Sequence, residues 1–451
     1  MCGILGIVDN KEISSEYFLN LLKKIQHRGQ ESFGISWIEK NEINLKKYKG
    51  MIQDNTVNNF ESNIIIGHNR YSTSGKSKNN ATQDQISKEI QPFNGISKCG
   101  EFVLVHNGNI PNLDIKDANS DTEFLVKQIE DLKYDNWLDI LKHIMNNFKK
   151  AYCLLIMTDN EIYVIRDKYG VRPLCIGYNE TGWCVSSESC VFSDYNFLRD
   201  VRPGEIVKIN KEEIKTIHLE KHETKSYCLF EYIYFLNENS YADNYQVSQL
   251  RYKYGEQLAK DDKKNNFTLD NPLVVGSPST GIPSGKGYAD KMRFEYIQVL
   301  KKNAKVGRTF ILENNKKRDI ACKKKYYLDT EKIRDRNIII VDDSLVRGTT
   351  TKNLIKIFRE SGAKSVHIRI AAPPIKYPCY FGVDIPTREE LIANKIHGED
   401  IREISIGVKQ LIGADSLYYL GINSIKNIME KDFNNLCTGC FNSNYNEKLE
   451  W

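Results

Sequence analysis

One string, NIIIVDDSLVRGTTT at residues 337–351, constrains the fold of this chain more than any other. Its aliphatic run, Asn337–Asp342, reads as a buried strand. The strand stops at two adjacent acids, Asp342 and Asp343, and a short loop with Ser344, Arg347 and Gly348 leads into Thr349, Thr350 and Thr351. In the segment TKNLIKIFRESGAK that follows, Leu354, Ile357 and Phe358 share one helical face, and Gly362 sits where a C-terminal cap belongs. SVHIRIA, Ser365–Ala371, then reads as a parallel partner strand. A strand–helix–strand unit of this kind predicts a buried parallel sheet, with ligands at the carboxyl ends of its strands. Gly348 lets the backbone approach a ligand, and the N–H groups and dipole of a helix start favour phosphate. The two acids would repel phosphate, so their expected work is to hold sugar hydroxyls or Mg²⁺. The string matches neither GxxxxGK[ST] nor GxGxxG. On its residues alone, a capped helix after a solvated acidic turn is the competing reading.

The rest of the chain has two textures. From about Ser226 onward strands and helices alternate, with Asn271–Gly276 and Glu295–Leu300 as further strands. Up to about Glu220, short apolar runs such as Ile64–Gly67, Phe102–His106, Ala151–Met157, Ile162–Arg166 and Gly204–Ile209 are broken by turn residues. That pattern predicts antiparallel, strand-rich layers with few helices. Its 451 residues suffice for two or three domains, each with its own core. Sixty-four Lys and Arg against 59 Asp and Glu leave a net charge of +5, too slight an excess to predict nucleic acid as partner. No apolar run reaches the ~18 residues of a membrane span, and MCGILGIVDN lacks the pattern of a secretion signal. A cytoplasmic protein is expected, in which the 11 cysteines form no disulfide framework.

Cys2 follows the initiator methionine, whose removal is expected and would leave a thiol beside its own α-amine. That amine, with an ordinary pKa of ~7.7–8.0, can act as general base to the thiol. Alone, Met-Cys says little. CGILGI, QHRGQESFGI at 26–35, GHNRYSTSG at 67–75, VHNGNI at 105–110 and SDTE at 120–123 together resemble the glutaminase domain of N-terminal-nucleophile amidotransferases, an αββα sandwich. The resemblance implies that Cys2 is the nucleophile, that Asn107 (side chain) and Gly108 (backbone N–H) form an oxyanion hole, and that Arg70 and Asp121 hold the α-carboxylate and α-ammonium of glutamine. It also places Arg28 and Gly29 at the glutamine site, where they help to close it. RDKYGVRPL, SSESC and RPGEI at 166–174, 186–190 and 202–206 extend the match as sheet and turn elements. His27, His68 and His106 have no metal-ligand spacing and are expected to be satisfied core or turn residues.

The string at 337–351 in turn resembles the phosphoribosyl-diphosphate (PRPP) signature of type I phosphoribosyltransferases. That implies Asp342 and Asp343 on the ribose hydroxyls and Ser344, Arg347, Gly348, Thr349 and Thr350 around the 5-phosphate. In GSPSTGIPSGKGYA, 276–289, Thr280 fits a hydroxyl position that helps to bind Mg²⁺, with Asp342 and Asp343 as its other metal residues. Ser279 stands where PRPP-dependent amidotransferases usually have Asp or Glu. KNAKVGRTFI, 302–311, looks like the mobile loop of that family, with Lys302 and Arg308 on PRPP, although Ala304 and Lys305 depart from its usual KNRYVGRTFI. A basic lid over a diphosphate is electrostatically reasonable. CTGC places Cys437 and Cys440 two residues apart, which by itself fits zinc, an iron–sulfur cluster, redox chemistry or nothing. The iron–sulfur branch of the family adds Cys228 and Cys379, which implies a [4Fe–4S] cluster.

The chain thus resembles the PRPP-dependent glutamine amidotransferases along nearly its whole length. The fold implied is α/β and α+β: an αββα glutaminase sandwich at 2–225, a phosphoribosyltransferase parallel-sheet domain at 226–430, and a C-terminal segment at 431–451 carrying cluster cysteines. The activity implied is glutamine-dependent transfer of ammonia to PRPP, yielding 5-phosphoribosylamine, glutamate and diphosphate, the first committed step of purine synthesis. Mg²⁺ and the cluster are the cofactors implied, purine nucleotides the feedback inhibitors, and a homotetramer the assembly, with neither nucleic acid nor membrane as partner. Tyr232, Ile233, Tyr234, Ser240 and Arg251 are expected near the domain junction, where LNENS replaces the usual ARPDS. A sugar-phosphate amidotransferase, a degenerate PRPP- or nucleotide-binding regulator, and a phosphoribosyltransferase acting on a base are the other readings.

Overall fold

The computed structural model describes residues 2–53, 57–71, 88–110, 118–148, 151–220, 224–302, 326–383, 385 and 387–445. In chain order the first half contains β1 (Gly3–Ser14), β2 (Ser32–Glu39), β3 (Glu42–Lys49), β4 (Glu61–Arg70), β5 (Phe93–Ser97), β6 (Gly100–Asn109), β7 (Ala151–Met157), β8 (Ile162–Arg166), β9 (Cys175–Tyr178), β10 (Gly182–Ser186), β11 (Asn196–Asp200), β12 (Glu205–Ile209) and β13 (Ile214–Leu219). They build a seven-stranded sheet, ordered β11-β9-β10-β1-β4-β2-β3, and a six-stranded sheet, ordered β13-β12-β8-β7-β6-β5.

Side chains alternate across a strand, so a strand buried on both faces must be apolar throughout. In β1, Ile4 and Val8 enter the core between the sheets with Ile66, Val105 and Leu155. Leu5 and Ile7 turn the other way, onto Phe18 and Leu22 of the helix Ser15–Lys24. Ser14 starts that helix by accepting from the Tyr17 N–H, and Lys23 and Lys24 occupy its last turn. On the outer face of the second sheet, the helices Asp121–Asp131 and Trp137–Asn147 cover Phe102, Leu154 and Ile165. The four layers make the expected αββα sandwich.

The second half contains β14 (Tyr227–Cys228), β15 (Tyr241–Ala242), β16 (Tyr245–Gln246), β17 (Pro272–Gly276), β18 (Glu295–Tyr296), β19 (Leu300–Lys302), β20 (Tyr326–Leu328), β21 (Asn337–Asp342), β22 (Ser365–Ile370), β23 (Ser416–Tyr419) and β24 (Leu436–Cys437). β18-β17-β21-β22-β23 form one parallel sheet. Every residue of β21 is buried, as its unbroken aliphatic run predicts. The strand order is a doubly wound one whose direction reverses between β17 and β21, and ligands bind at the carboxyl ends of strands at such a switch point.

The stretch Glu295–Leu300 is not one strand. β18 ends at Tyr296, and β19 pairs instead with β20 in a separate ribbon. The Gln298 side chain donates to the carbonyls of Gly276 and Leu300, at 2.9 and 2.7 Å, and this local bonding turns the chain out of the sheet. On the helix Thr349–Glu360, Leu354 and Phe358 are buried as expected, but Ile355 joins them while Ile357 is half-exposed. Near the C-terminus β24 returns to pair in parallel with β14, setting Cys437 opposite Cys228. Among the described residues no helix is long and apolar enough to cross a membrane.

Candidate active site

Cys2 immediately precedes β1, and Asn107 and Gly108 lie near the end of β6 in the other sheet. The Cys2 backbone nitrogen donates to Asn107 Oδ1 at 3.2 Å, and the Asn107 Nδ2 amide nitrogen is buried with no hydrogen-bond partner among the described residues. A buried donor left unbonded costs stability, so its natural partner is an acceptor brought by a ligand. Gly108 admits no side chain, since a Cβ there would lie 2.2 Å from the Ala151 carbonyl oxygen and 2.5 Å from His106 Nε2. SDTE begins with the cap of a helix, and its Glu123 carboxylate accepts from the Asn119 N–H at 2.7 Å. Ser120 accepts from the Glu123 N–H at 3.2 Å, which starts the helix and places Asp121 in its first turn. Asp121 then accepts from the backbone nitrogens of Ile110 (3.2 Å) and Thr122 (2.9 Å).

Cys2, Arg70, Gly108 and Asp121 line one cavity with Glu89 and His106. Its free volume is ≈ 20 Å³, room for about one water molecule. The guanidinium of Arg70 is taken up by the Glu89 carboxylate and by Glu31, the latter at 3.2 Å. Glu89 therefore stands where an incoming carboxylate would bind, and no sequence motif pointed to it.

Arg28 and Gly29 are not part of the cavity lining. Arg28 lies behind the nucleophile, fully buried, and donates from Nε to the Cys2 carbonyl at 2.9 Å. Its Nη1 is 2.6 Å from Glu188 and its Nη2 2.8 Å from Glu231. Burial alone would raise the Glu188 pKa, but His27 and Arg28 hold it well below the usual carboxylate range. Gly29 brings this turn against β4, for a Cβ there would meet the Asn69 carbonyl at 2.5 Å. SSESC thus contains more than a sheet element. His27 is satisfied by Glu188 at 2.8 Å, and His106 Nδ1 lies 3.2 Å from Thr122 Oγ1. His68 and His106 differ from expectation: among the described residues neither ring nitrogen of His68 on β4 nor Nε2 of His106 has a hydrogen-bond partner, and burial holds His68 neutral, its pKa well below the usual histidine value.

The second centre forms at the switch point. β17 ends at Gly276, and the loop that follows places the Thr280 hydroxyl on Asp343 Oδ2. Asp343 also accepts from Ser344 Oγ at 2.6 Å, and Asp342 accepts from the Asp343 N–H at 3.0 Å. Burial, then the adjacent Asp343 carboxylate, raises the Asp342 pKa, and burial raises that of Asp343. Gly348 caps the helix Thr349–Glu360 at φ 79, a left-handed conformation, and as a glycine it offers no side chain to the first N–H groups. Thr349 and Thr350 open that helix, whereas Arg347 points to Glu390 at 2.7 Å. Only the backbone of Lys302 is described, and Ala304, Lys305 and Arg308 lie outside the described residues, as does Cys322.

The four cysteines Cys228, Cys379, Cys437 and Cys440 gather where β14 and β24 pair. Cys379 Sγ accepts from the Phe381 N–H at 3.3 Å, and the Cys440 carbonyl accepts from Lys376 and Tyr377 at 3.0 and 3.1 Å. Burial raises the thiol pKa values of Cys228 and Cys440, and that of Cys437 to about 11, and neighbouring thiols of the group push each the same way. Among the described residues no group of three or more His, Cys, Asp or Glu side chains stands arranged to hold a metal ion.

A glutamine amidotransferase domain model matches residues 78–194, and a phosphoribosyl transferase domain model matches residues 242–376. The amidophosphoribosyltransferase of Homo sapiens is 34% identical over 526 residues, spanning 100% of this chain and 98% of that protein. The protein of the same name from Mycobacterium tuberculosis is 33% identical over 468 residues, 98% of this chain and 86% of that one. Among solved structures, the glutamine PRPP amidotransferase from B. subtilis, complexed with ADP and GMP, superposes with a TM-score of 0.84 at 31% identity, covering 99% of this chain and 97% of that chain. A structure of the allosteric regulatory enzyme of purine biosynthesis gives 0.85 at 32% identity, covering 99% and 96%.

Proposed function

The chain belongs to the amidophosphoribosyltransferase family, and from that premise we propose how its two centres divide one reaction. The enzyme transfers the amide nitrogen of glutamine, as ammonia, to PRPP, and releases 5-phosphoribosylamine, glutamate and diphosphate. The observation that carries this reading is the meeting, in one chain, of a buried Cys2–Asn107 pair with a paired-aspartate loop at a parallel-sheet switch point.

In the glutaminase half, methionine removal turns the Cys2 nitrogen into an α-amine. Asn107 Oδ1, already bonded to that nitrogen, orients its lone pair toward the thiol. The amine takes the thiol proton while sulfur attacks the carboxamide carbon. Asn107 Nδ2 and the Gly108 N–H meet the oxyanion, the amine returns a proton to the departing ammonia, and water hydrolyses the thioester to glutamate. Arg70 exchanges Glu89 for the substrate carboxylate, and Asp121 binds the ammonium.

In the transferase half, Asp342 and Asp343 hold the ribose hydroxyls, and Ser344, Arg347, Gly348, Thr349 and Thr350 hold the 5-phosphate at the helix start. Thr280, Asp342 and Asp343 offer hard oxygen donors that suit Mg²⁺, and two buried acids side by side are relieved by a cation. When bound, Mg²⁺ neutralises charge on the departing diphosphate. Lys302 and Arg308 are read as PRPP-binding residues on the resemblance alone. Ammonia is mostly protonated in water at neutral pH, so the two centres work together through a dry passage at the junction.

The four cysteines fit a [4Fe–4S] cluster as donors: all are thiols, they repel one another when ionised, and Cys379 Sγ already accepts a backbone N–H. Such a cluster would tie the C-terminal segment to β14. On this reading the chain falls in the iron–sulfur branch of its family. Purine nucleotides are the feedback inhibitors, in line with the ADP and GMP bound to the B. subtilis protein, and the working form is a cytoplasmic homotetramer. Glutamate and diphosphate released in equal amounts, and only when PRPP is present, is the expected result of a coupled assay. Glutamine hydrolysis stimulated by fructose 6-phosphate instead of PRPP would overturn the reading.

A further inference from the structure

The guanidinium that receives the glutamine α-carboxylate is engaged by the chain's own acids. Arg70 Nη2 donates to Glu89 Oε2, and Nη1 to Glu31 Oε2 at 3.2 Å, so both arms of the fork are taken. A guanidinium grips an incoming carboxylate through two parallel bonds and needs both arms to do so. The two acids hold it on different terms. The Glu31 side chain is 37% exposed, and a pair of that kind yields to solvent at little cost. That of Glu89 is 2% exposed, against 6% for Arg70, so their contact is closed off from water, beside Cys2 and Asp121 in the cavity.

The backbone keeps Glu89 there. Two residues on, the Gln91 side chain is stapled across the cavity wall: Oε1 accepts from the His106 N–H at 2.6 Å, and Nε2 donates to Thr122 Oγ1 at 2.9 Å. Gly34 of β2 packs beneath it, where a Cβ would come within 2.1 Å of the Gln91 carbonyl oxygen. Ile90 and Gln91 are both buried. Glu89 is thus delivered to Arg70 on a fixed stem. Among the described residues Arg70 is the only Lys or Arg lining the cavity, which already carries the acids Glu89 and Asp121. An amino acid adds a third carboxylate to that one cation, and the free volume of ≈ 20 Å³ is too small to take it beside Glu89. A buried acid stripped of its partner is costly, so the Glu89 side chain leaves the cavity as the α-carboxylate enters.

We propose that Glu89 is a tethered competitor for the α-carboxylate, and that it sets the affinity of the site for glutamine and for the glutamate left behind. A carboxylate on the same chain acts at an effective concentration of millimolar order. The fraction of molecules in which Arg70 is free scales down the intrinsic affinity. Substrate and product carry the same α-carboxylate, so the return of Glu89 to Arg70 weakens the hold on both and speeds the departure of glutamate. The proposal rests on Arg70 as the carboxylate-binding residue of the glutaminase centre.

Glu89→Gln keeps the shape and removes the charge, and Glu89→Asp keeps the charge on a tether shorter by one methylene group. Calorimetric titration of the full chain with glutamate reads affinity without turnover, and steady-state rates give the glutamine KM. The amide of γ-aminobutyric acid has the carboxamide and the amine but no carboxylate, and serves as the comparison ligand. In Glu89→Gln the glutamate Kd and the glutamine KM are both expected to fall about tenfold, and in Glu89→Asp by less. The comparison ligand is expected to tighten by no more than about twofold. Unchanged glutamate affinity would show the contact to be idle, and weakened affinity would show that Glu89 helps to hold the amino acid. Equal tightening of the comparison ligand would show a loosened pocket. Each of these overturns the proposal, and Glu89→Asp decides by the same comparison should the neutral variant not fold. Arg70→Ala is the separate control: glutamate binding at parent strength there would remove Arg70 as the carboxylate residue, and with it the reading on which the proposal stands.

Discussion

Asn107 serves Cys2 twice, accepting from its nitrogen through Oδ1 while Nδ2 stays unbonded. Asn107→Ala is therefore expected to cost about 10²–10³-fold in glutamine-dependent kcat, with ammonium-dependent turnover kept, as steady-state rates with each nitrogen source would show. For Gly108→Ala the added Cβ meets the backbone of Ala151 and Tyr152 as well as the His106 ring, so a side-chain shift alone cannot make room. That variant is expected to lose glutaminase activity and also to melt at a lower temperature. Arg70→Ala should raise the glutamine KM by about tenfold or more, the loss of a charge-assisted pair, and leave the PRPP KM unchanged. Cys2, Asn107, Gly108, Arg70 and Asp121 could be nominated because each lies in a short motif that carries the resemblance, and the fold brings Cys2, Arg70, Gly108 and Asp121 to one cavity. Glu89, Glu188 and Glu231 were not. Their arginine partners lie 19, 160 and 203 residues away, and an acid carries no local mark of so distant an ion pair.

The parallel strands β17 and β21 could be read directly, because burial on both faces favours unbroken apolar runs, whereas β22 buries His367 and Arg369 between its aliphatic residues. Glu295–Leu300 misled for the opposite reason: its turn depends on a side chain bonding to a strand end 22 residues earlier. Glu205 on β12 shows a similar long-range device. It accepts from Arg199 of β11 at 2.8 and 3.0 Å and from Thr216 of β13 at 2.6 Å, and so joins the two sheets of the sandwich. Burial works to raise its pKa, but the bonds from Arg202, Arg199 and Thr216 bring it down to about 2. A depressed carboxylate stabilises the fold above its ordinary range, and that contribution is lost as pH falls from ~4.5 through the folded value. Glu205→Gln is expected to cost about 2 kcal/mol at neutral pH and to flatten the dependence below pH ~4.5. Melting curves from acid to neutral pH provide the check, and parallel curves for parent and variant would contradict it.

Across the whole molecule, two centres of different ancestry meet at a segment that the sequence marked only as a departure from the family's ARPDS. Motifs located each centre, but they did not show that Arg251 and Arg28 hold the linker from its two sides. The central claim is that nitrogen freed at Cys2 reaches PRPP without mixing with the solvent. Supplying glutamine labelled with ¹⁵N in its amide, in the presence of excess unlabelled ammonium at neutral pH, tests it most directly by mass analysis of the phosphoribosylamine formed. Product carrying the label, one glutamate per diphosphate, and no label after Cys2→Ala are expected. Product with the isotopic composition of the bulk ammonium from the parent enzyme would contradict it.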